Sequence, residues 1–212
     1  MLSICEIFYS LQGESTYAGL PCIFVRLAGC NLRCAWCDTT YSHAEGQPMS
    51  NDTILQQIQS YPARLVEFTG GEPLLQKTEL LPLLDRLHQA GYTLLLETNG
   101  SISLQGLPDY LVAIVDIKCP DSGVWKSEAE LGAWTNNLPY LRPQDELKFV
   151  LCSRKDYLFA TDFIRQNKLQ THQIIFSPVR ERLAPTQLAS WLLEDGLPYR
   201  LQLQLHKLID LK

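Results

Sequence analysis

Residues 22–40 read CIFVRLAGCNLRCAWCDTT, an apolar run that leads directly into three closely spaced cysteines. The part CIFVRLA is typical of a buried strand, and Gly29 follows it. Cys30, Cys34 and Cys37 come next, separated by three and then two residues. The stretch therefore predicts a strand whose carboxyl end carries a thiol-rich loop.

Short apolar runs and helical patterns alternate along the rest of the chain. Strands are expected at ICEIFYS, CIFVRLA, LVEF, YTLLLE, YLVAIVDI, ELKFVLC, QIIFS and RLQLQL. Helices are expected at TILQQIQS, at ELLPLLDRLHQAG, around Lys155–Gln166 and after Pro185. This alternation implies a parallel sheet with outer helices. We expect an α/β fold, an open partial TIM-type (βα) barrel of about six units, because a full barrel needs roughly 250 residues.

Composition narrows the class of protein further. The 212 residues, 46% of them hydrophobic, are enough for one core, so a single domain over 1–212 is expected. A net charge of -5 without runs of like charge argues against nucleic-acid binding, and no apolar run approaches the ~20 residues of a membrane span. The amino terminus has no secretory signature, so we expect a cytoplasmic protein.

The seven cysteines indicate metal or catalytic chemistry rather than disulfides, since an odd number in a reducing compartment fits no disulfide framework. Four of them stand alone and are expected to be small buried hydrophobes: Cys5, Cys22, Cys119 and Cys152. The three on the loop could hold one metal centre, although a structural zinc site and an electron-transfer 4Fe-4S cluster both normally take four protein ligands. Three thiolates therefore suggest a cluster with one iron left open. His43 is a possible fourth ligand, but it has no paired spacing.

A second motif, Thr69-Gly70-Gly71-Glu72-Pro73, follows the strand LVEF. Paired glycines allow positive φ and close approach of a ligand, and a carboxylate at Glu72 could accept a hydrogen bond from an ammonium group.

Together, the cysteine spacing with Trp36 before the last cysteine and the GGEP motif resemble the signatures of radical S-adenosylmethionine (SAM) enzymes. Within that superfamily the chain resembles the 7-carboxy-7-deazaguanine synthases over nearly its whole length. The resemblance rests on EIFYSLQGES, FVRLAGCNLRCAWCDT, FTGGEPLLQ, LLLETNG, ELKFV and LQLQLHKLI.

The resemblance implies a reaction and its cofactors. A 4Fe-4S cluster would split SAM to a 5'-deoxyadenosyl radical, which removes hydrogen from C6 of 6-carboxy-5,6,7,8-tetrahydropterin. The ring then contracts and loses ammonia, and magnesium is required. A flavodoxin or ferredoxin as electron donor and a homodimeric assembly are implied as well.

Site residues also follow from the resemblance. The cluster would be held by Cys30, Cys34 and Cys37, and magnesium by Thr39. SAM would contact Trp36, Cys37, Asp38, Gly71, Glu72, Lys118, Ser177, Pro178 and Val179. The pterin would contact Leu11, Gln12, Gly13, Arg26 and Thr69.

Strand patterns also bear on the polar side chains of three segments. Alternation puts Phe24, Arg26 and Ala28 on one face, so Arg26 meets either solvent or an internal anion. Glu97 ends YTLLLE, where barrels display catalytic groups, or it caps a turn. In RLQLQLHKL, read as a strand, Gln202, Gln204 and His206 would face either the lumen and substrate or, on an edge strand, solvent.

Some positions depart from the family pattern. Ser15 stands where many members have glycine, and Asp116-Ile117 replaces Ser-Pro before Lys118, which leaves SAM contacts at those two positions open. The chain continues to Lys212, so no substrate role is assigned to its carboxyl terminus. Two alternatives remain: a glycyl-radical-enzyme activase that acts on a partner protein, and a non-enzymatic iron-sulfur or zinc module.

Overall fold

The computed structural model describes residues 1–124 and 128–211, so Lys212 lies outside the described residues. Its strands are β1 Leu2–Leu11, β2 Pro21–Leu27, β3 Gln47–Met49, β4 Leu65–Gly70, β5 Thr93–Thr98, β6 Leu111–Asp116, β7 Glu146–Leu151, β8 Gln173–Pro178 and β9 Arg200–Leu201. Its α-helices are α1 Asn51–Gln59, α2 Lys77–Gln89, α3 Glu128–Thr135, α4 Arg154–Gln166, α5 Pro185–Glu194 and α6 Leu205–Leu208. Short 3-10 helices cover Thr40–His43, Pro73–Gln76, Pro120–Ser122 and Leu138–Tyr140.

All of the strands in the described residues belong to one open sheet, in the order β3-β1-β2-β4-β5-β6-β7-β8-β9. From β2 to β9 neighbouring strands are parallel. β1 is antiparallel to both β2 and β3. The predicted open partial barrel is thus confirmed, and an antiparallel edge precedes it. Five of the six crossovers between parallel strands contain an α-helix, and β5 is joined to β6 by a loop.

Most of the predicted elements are confirmed, but the strand expected at RLQLQL is wrong beyond its first two residues. β9 ends at Leu201, and the Gln202 N–H bonds to the Phe176 carbonyl. The chain then turns inward, where the Leu205 N–H bonds to the Gly13 carbonyl at 2.9 Å and α6 begins. This long-range bond replaces the sheet hydrogen bonds that a longer β9 would need. None of the helices in the described ranges is long and apolar enough to cross a membrane.

The inward face of the sheet is divided along the strands. Towards the amino ends of the parallel strands it is apolar, and a small buried cluster comprises Cys22, Phe24, Leu65, Leu95, Val112 and Ile114. Continuing by alternation, the carboxyl halves carry polar side chains: Arg26, Glu67, Thr69, Glu97, Asp116 and Lys148. The outward face packs on the helices as the main core. The functional site is therefore built at the carboxyl ends of the strands, above an apolar floor.

Residues 12–16, here called the bridge segment, reach across the open side of the barrel. The Thr16 N–H donates to the Glu146 carboxylate of β7, and Gln202 Nε2 donates to the Ser15 carbonyl at 2.8 Å. Ser15 itself has φ of 61°, a left-handed conformation that glycine adopts more easily. The bridge segment thus ties the amino-terminal edge of the sheet to its far strands.

The two glycines of the GGEP motif let two loops pack backbone against backbone. Gly70 has φ of 140°, and a Cβ there would collide with the Leu27 carbonyl oxygen. A Cβ on Gly71 would collide with the Gly29 carbonyl oxygen, and the Glu72 N–H donates to that oxygen at 2.8 Å. The motif thereby anchors the start of the cysteine loop.

Replacing Gly70 by alanine should therefore destabilise the protein more than replacing Gly91, which has φ of 80° but open space around it. We expect a loss of about 1–3 kcal/mol for Gly91→Ala from backbone strain alone, and a larger loss for Gly70→Ala from strain plus collision. Urea unfolding of both variants measures this. Equal losses would contradict the proposed packing.

Candidate active site

A cavity of about 560 Å³ opens at the carboxyl ends of the parallel strands. Its wall includes residues from the cysteine loop, the bridge segment, the ends of β2 and β4 to β8, and α6. The volume lies in the usual range for small-molecule sites. The cavity is where the fold brings the sequence motifs together.

Of the predicted site residues, all but Glu72 line this cavity: Leu11, Gln12, Gly13, Arg26, Cys30, Cys34, Trp36, Cys37, Asp38, Thr39, Thr69, Gly71, Glu97, Lys118, Ser177, Pro178, Val179 and His206. His206 arrives on α6 rather than on a strand, and its ring packs over Gly13, since a Cβ on that glycine would collide with His206 Nδ1. Its roles, like those of the other residues, stay predictions.

The three loop cysteines are free thiols, partly exposed, in the same cavity wall. The Leu32 N–H lies 3.5 Å from Cys30 Sγ, and Asn99 Nδ2 lies 3.9 Å from the same sulfur. His43 lies beside Cys37, with 3.7 Å between Nε2 and Sγ. Burial raises the pKa of the Cys34 thiol, and the nearby charge of Lys118 opposes that rise.

This donor set fits an iron-sulfur cluster. Among the described residues, no three Cys, His, Asp or Glu side chains are grouped as a single metal ion requires. A four-iron cluster spreads its thiolate ligands over a wider triangle than one ion does, and thiolates are its preferred ligands. The loop therefore suits a cluster better than a compact zinc site.

Glu72 does not line the cavity, and its carboxylate accepts hydrogen bonds from other residues of the protein. It is 0% exposed, and it accepts hydrogen bonds from Leu74 N at 3.0 Å, Thr98 Oγ1 at 2.8 Å and Asn99 N at 2.7 Å. Burial raises its pKa, while these donors counteract the effect. These three bonds hold the GGEP turn against the end of β5. The contact of Glu72 with SAM stays a prediction.

Lys118 and Asp116 form a buried ion pair on the cavity wall. Lys118 Nζ donates to Asp116 Oδ2 at 2.6 Å, whereas Asp116 Oδ1 is buried without a partner. Burial would lower the pKa of Lys118, but the charges of Asp116 and Cys34 raise it above its ordinary value. Ile117 points into the core instead. Asp116 Oδ1 is thus an enclosed acceptor that the surrounding residues leave unsatisfied.

A chain of charged side chains crosses the cavity from β4 to the bridge segment. Thr69 Oγ1 donates to Glu97 Oε2 at 3.2 Å, and Lys148 Nζ donates to Glu97 Oε1 and, at 2.8 Å, to Glu14 Oε2. Lys148 is only 4% exposed. Burial would lower its pKa, but Glu14 and Glu97 raise it well above its ordinary value. Lys148 thus holds two carboxylate side chains together inside the site.

Arg26 also faces the cavity, which is one of the two placements that strand alternation left open. Its Nε donates to Glu6 Oε1 at 2.9 Å, and its guanidinium lies 5.8 Å from the Phe8 ring centre and 5.9 Å from that of Tyr41. Tyr41 Oη donates to the same Glu6 oxygen at 2.9 Å. The hydrogen bond to Glu6 thus holds the Arg26 guanidinium through its Nε, and the residue lines the cavity.

Beside the cysteines, Thr39 and Asp38 form a small polar group. Thr39 Oγ1 donates to Asp38 Oδ1 at 3.0 Å, and Lys207 Nζ donates to Asp38 Oδ2 at 2.6 Å. Burial opposes the charge on Asp38, but Lys207 and Thr39 lower its pKa to about 2. Asp38 is therefore an anion next to the predicted magnesium ligand.

Sequence reasoning gave no role to Glu14, Glu67 or Lys148. Glu67 and Lys148 could have been found, since each is a charged residue inside an otherwise apolar strand, in LVEF and ELKFV. Glu14 carries no local signal, because its partner on β7 is distant in the sequence.

Comparison with known proteins agrees with this geometry. Residues 24–119 match the radical SAM superfamily. Fold and site thus define the class: the radical SAM enzymes.

Relatives specify the family. The chain is 48% identical to the 7-carboxy-7-deazaguanine synthase of Koribacter versatilis, over 98% of this chain and 96% of the relative, and 45% identical to that of Chlorobaculum tepidum, over 98% and 94%. It superposes on the crystal structure of QueE from Escherichia coli with a TM-score of 0.72, at 27% identity, covering 97% of this chain and 94% of the other. The chain belongs to the 7-carboxy-7-deazaguanine synthase family.

If the loop cysteines hold a cluster, protein purified without oxygen should be brown, and Cys34→Ala should lose both the colour and the activity because one of three ligands is removed. Cys5→Ala, a thiol on β1 outside the cavity wall, is the matched control and should keep both. Iron content and the visible absorbance before and after dithionite are measured. A colourless parent that carries stoichiometric zinc would overturn the assignment.

Proposed function

We propose that this chain converts 6-carboxy-5,6,7,8-tetrahydropterin to 7-carboxy-7-deazaguanine by radical ring contraction with loss of ammonia. One observation carries the proposal: a single cavity combines three free thiols with an inward guanidinium and with Glu97 paired to the buried Lys148. The names of the relatives support the same reaction.

Cofactors would bind along the cysteine side of the cavity. Cys30, Cys34 and Cys37 would hold the 4Fe-4S cluster, and SAM would lie against Trp36, Asp38, Gly71, Lys118 and Ser177–Val179, which line the cavity. When bound, the cluster and SAM together supply the abstraction of a hydrogen atom from the substrate.

The opposite side would bind the pterin. Arg26 is a guanidinium that can pair with the substrate carboxylate, since its planar donors match that group. Glu97 would act as a proton acceptor at the end of β5, where Lys148 and the Thr69 hydroxyl both donate hydrogen bonds to it. Because Lys148 Nζ and Thr69 Oγ1 both donate hydrogen bonds to Glu97, the Glu97 carboxylate would be held in position before the substrate binds.

The partners follow from the family and stay proposals. A flavodoxin or ferredoxin would deliver the electron, and two copies of the chain would form a homodimer. The activase alternative has no support among the relatives described above.

The direct test is anaerobic incubation of the reconstituted protein with SAM, dithionite, magnesium and the pterin, followed by chromatography. Formation of 7-carboxy-7-deazaguanine is expected. SAM cleavage without that product would reject the proposed substrate.

Arg26→Ala should raise the KM for the pterin about 10- to 100-fold, since charge-assisted hydrogen bonds contribute roughly 1.5–3 kcal/mol. Arg26→Lys keeps the charge but loses the fork, so an intermediate KM is expected. SAM cleavage in the absence of the pterin should be retained in both variants. An unchanged KM in Arg26→Ala would remove Arg26 from the substrate site.

Thr39 is proposed to supply an oxygen ligand to magnesium, which prefers oxygen donors in octahedral geometry. Thr39→Ser keeps the oxygen and Thr39→Val keeps the shape. Magnesium titrations should show near-parental dependence for Ser and low turnover or a much higher requirement for Val, with the cluster colour intact in both. A parental response in Val would show that the metal is held elsewhere.

A further inference from the structure

Glu67 is a buried acid in the cavity wall that none of the steps above uses. It lies on the inward face of β4, is 3% exposed and lines the cavity. In the parallel register it pairs with Phe24, one inward position below Thr69 and Arg26. It therefore lies at the boundary between the polar wall and the apolar floor.

Gln12 fixes one half of the Glu67 carboxyl group. Gln12 Nε2 donates to Glu67 Oε2, and Gln12 Oε1 accepts from Glu14 N at 3.0 Å. The Gln12 main chain is also paired, its N–H with Leu20 and its carbonyl with Gly19. The Gln12 side chain therefore orients Glu67, and its own contact with the substrate, implied by the family resemblance, stays a prediction.

The other half of the carboxyl group faces the cavity without a protein partner. Among the described residues no hydrogen bond reaches Glu67 Oε1, and this atom is not enclosed, because the buried unpartnered atoms of the structure are others. Glu14, Glu97 and Asp116 each pair with a lysine, whereas Glu67 forms no ion pair there. Burial, together with the charges of Glu97 and Glu14, raises its pKa well above the ordinary value.

A buried carboxyl oxygen without a hydrogen-bond partner carries a desolvation penalty, which a ligand with N–H donors would remove. Such donors would also favour the ionised form of the carboxyl group. We propose that Glu67 reads the aminopyrimidine edge of the substrate, accepting from the exocyclic 2-amino group and the adjacent ring N–H. The proposal rests on the function proposed above. Inward positions two residues apart lie about 7 Å from each other along a strand, on the scale of a fused two-ring heterocycle. Arg26 above and Glu67 below would therefore engage opposite ends of the pterin.

The test compares Glu67→Gln and Glu67→Ala with the parent, using the pterin and an analogue in which hydrogen replaces the 2-amino group. Both variants should raise the KM for the pterin about 10- to 100-fold, because a site built to accept these donors loses them. The parent should strongly prefer the pterin over the analogue in kcat/KM, and the variants should lose most of that preference. Cluster absorbance and SAM cleavage without pterin should not change.

Glu146→Gln is the matched control: a buried acid on β7 that bonds to Thr16 and does not line the cavity, so it should leave the preference unchanged. A parent that turns over the pterin but does not discriminate against the analogue overturns the inference, whether or not the variants fold. Undiminished discrimination in Glu67→Gln overturns it as well. A parent that forms no deazaguanine at all would instead defeat the proposed function, which keeps the two failures distinct.

Discussion

The salt bridge between Lys148 and Glu14 joins parts of the chain that the sheet itself does not connect. Lys148 lies on β7, and Glu14 lies in the bridge segment after β1, on the opposite side of an open barrel. Because Lys148 is buried and also holds Glu97, removing it would leave two carboxylates without their cation, a loss of about 3–5 kcal/mol for a broken buried pair. The bridge segment thereby completes a wall that the strands leave open, and Gln204 reinforces it by donating to Glu14 at 2.9 Å.

Other charged side chains of the site also form ion pairs. Lys118 faces Asp116 and Arg26 faces Glu6 on the cavity wall, so these two cations each have a carboxylate beside them. Lys207 faces Asp38 in the same way, although both of those side chains are partly exposed. Buried charges are tolerated when they are paired in this way, and the pairing fixes their orientation. The charged side chains therefore already have fixed positions before a carboxylated substrate and a sulfonium cofactor bind, and they need not move during the reaction.

Backbone contact does the rest of the positioning. The glycine pair of the GGEP motif is needed because the turn after β4 packs directly on the carbonyls of Leu27 and Gly29, and Glu72 secures that turn from behind by accepting from the end of β5. The cysteine loop is thus attached to two neighbouring strand ends. Gly70 and Gly71 are thus needed because the two loops pack closely backbone to backbone.

Local patterns in the sequence determined the strands and helices, the cysteine spacing and the GGEP turn, because hydropathy periodicity and motif spacing are short-range properties. They also placed Arg26 and Glu97 correctly at the inward strand ends, where both line the cavity. Only the tertiary structure decided that Glu72 is buried beneath the turn, that β9 stops at Leu201, and that Gln12 serves Glu67. The physical reason is that each of these outcomes depends on a partner far away in the chain: Asn99 for Glu72, Gly13 for the segment after β9, and β4 for Gln12. Alternation along RLQLQL describes a strand equally well, but in the fold Gln202, Gln204 and Leu205 each donate a hydrogen bond to the bridge segment, and the chain there forms a loop and a helix.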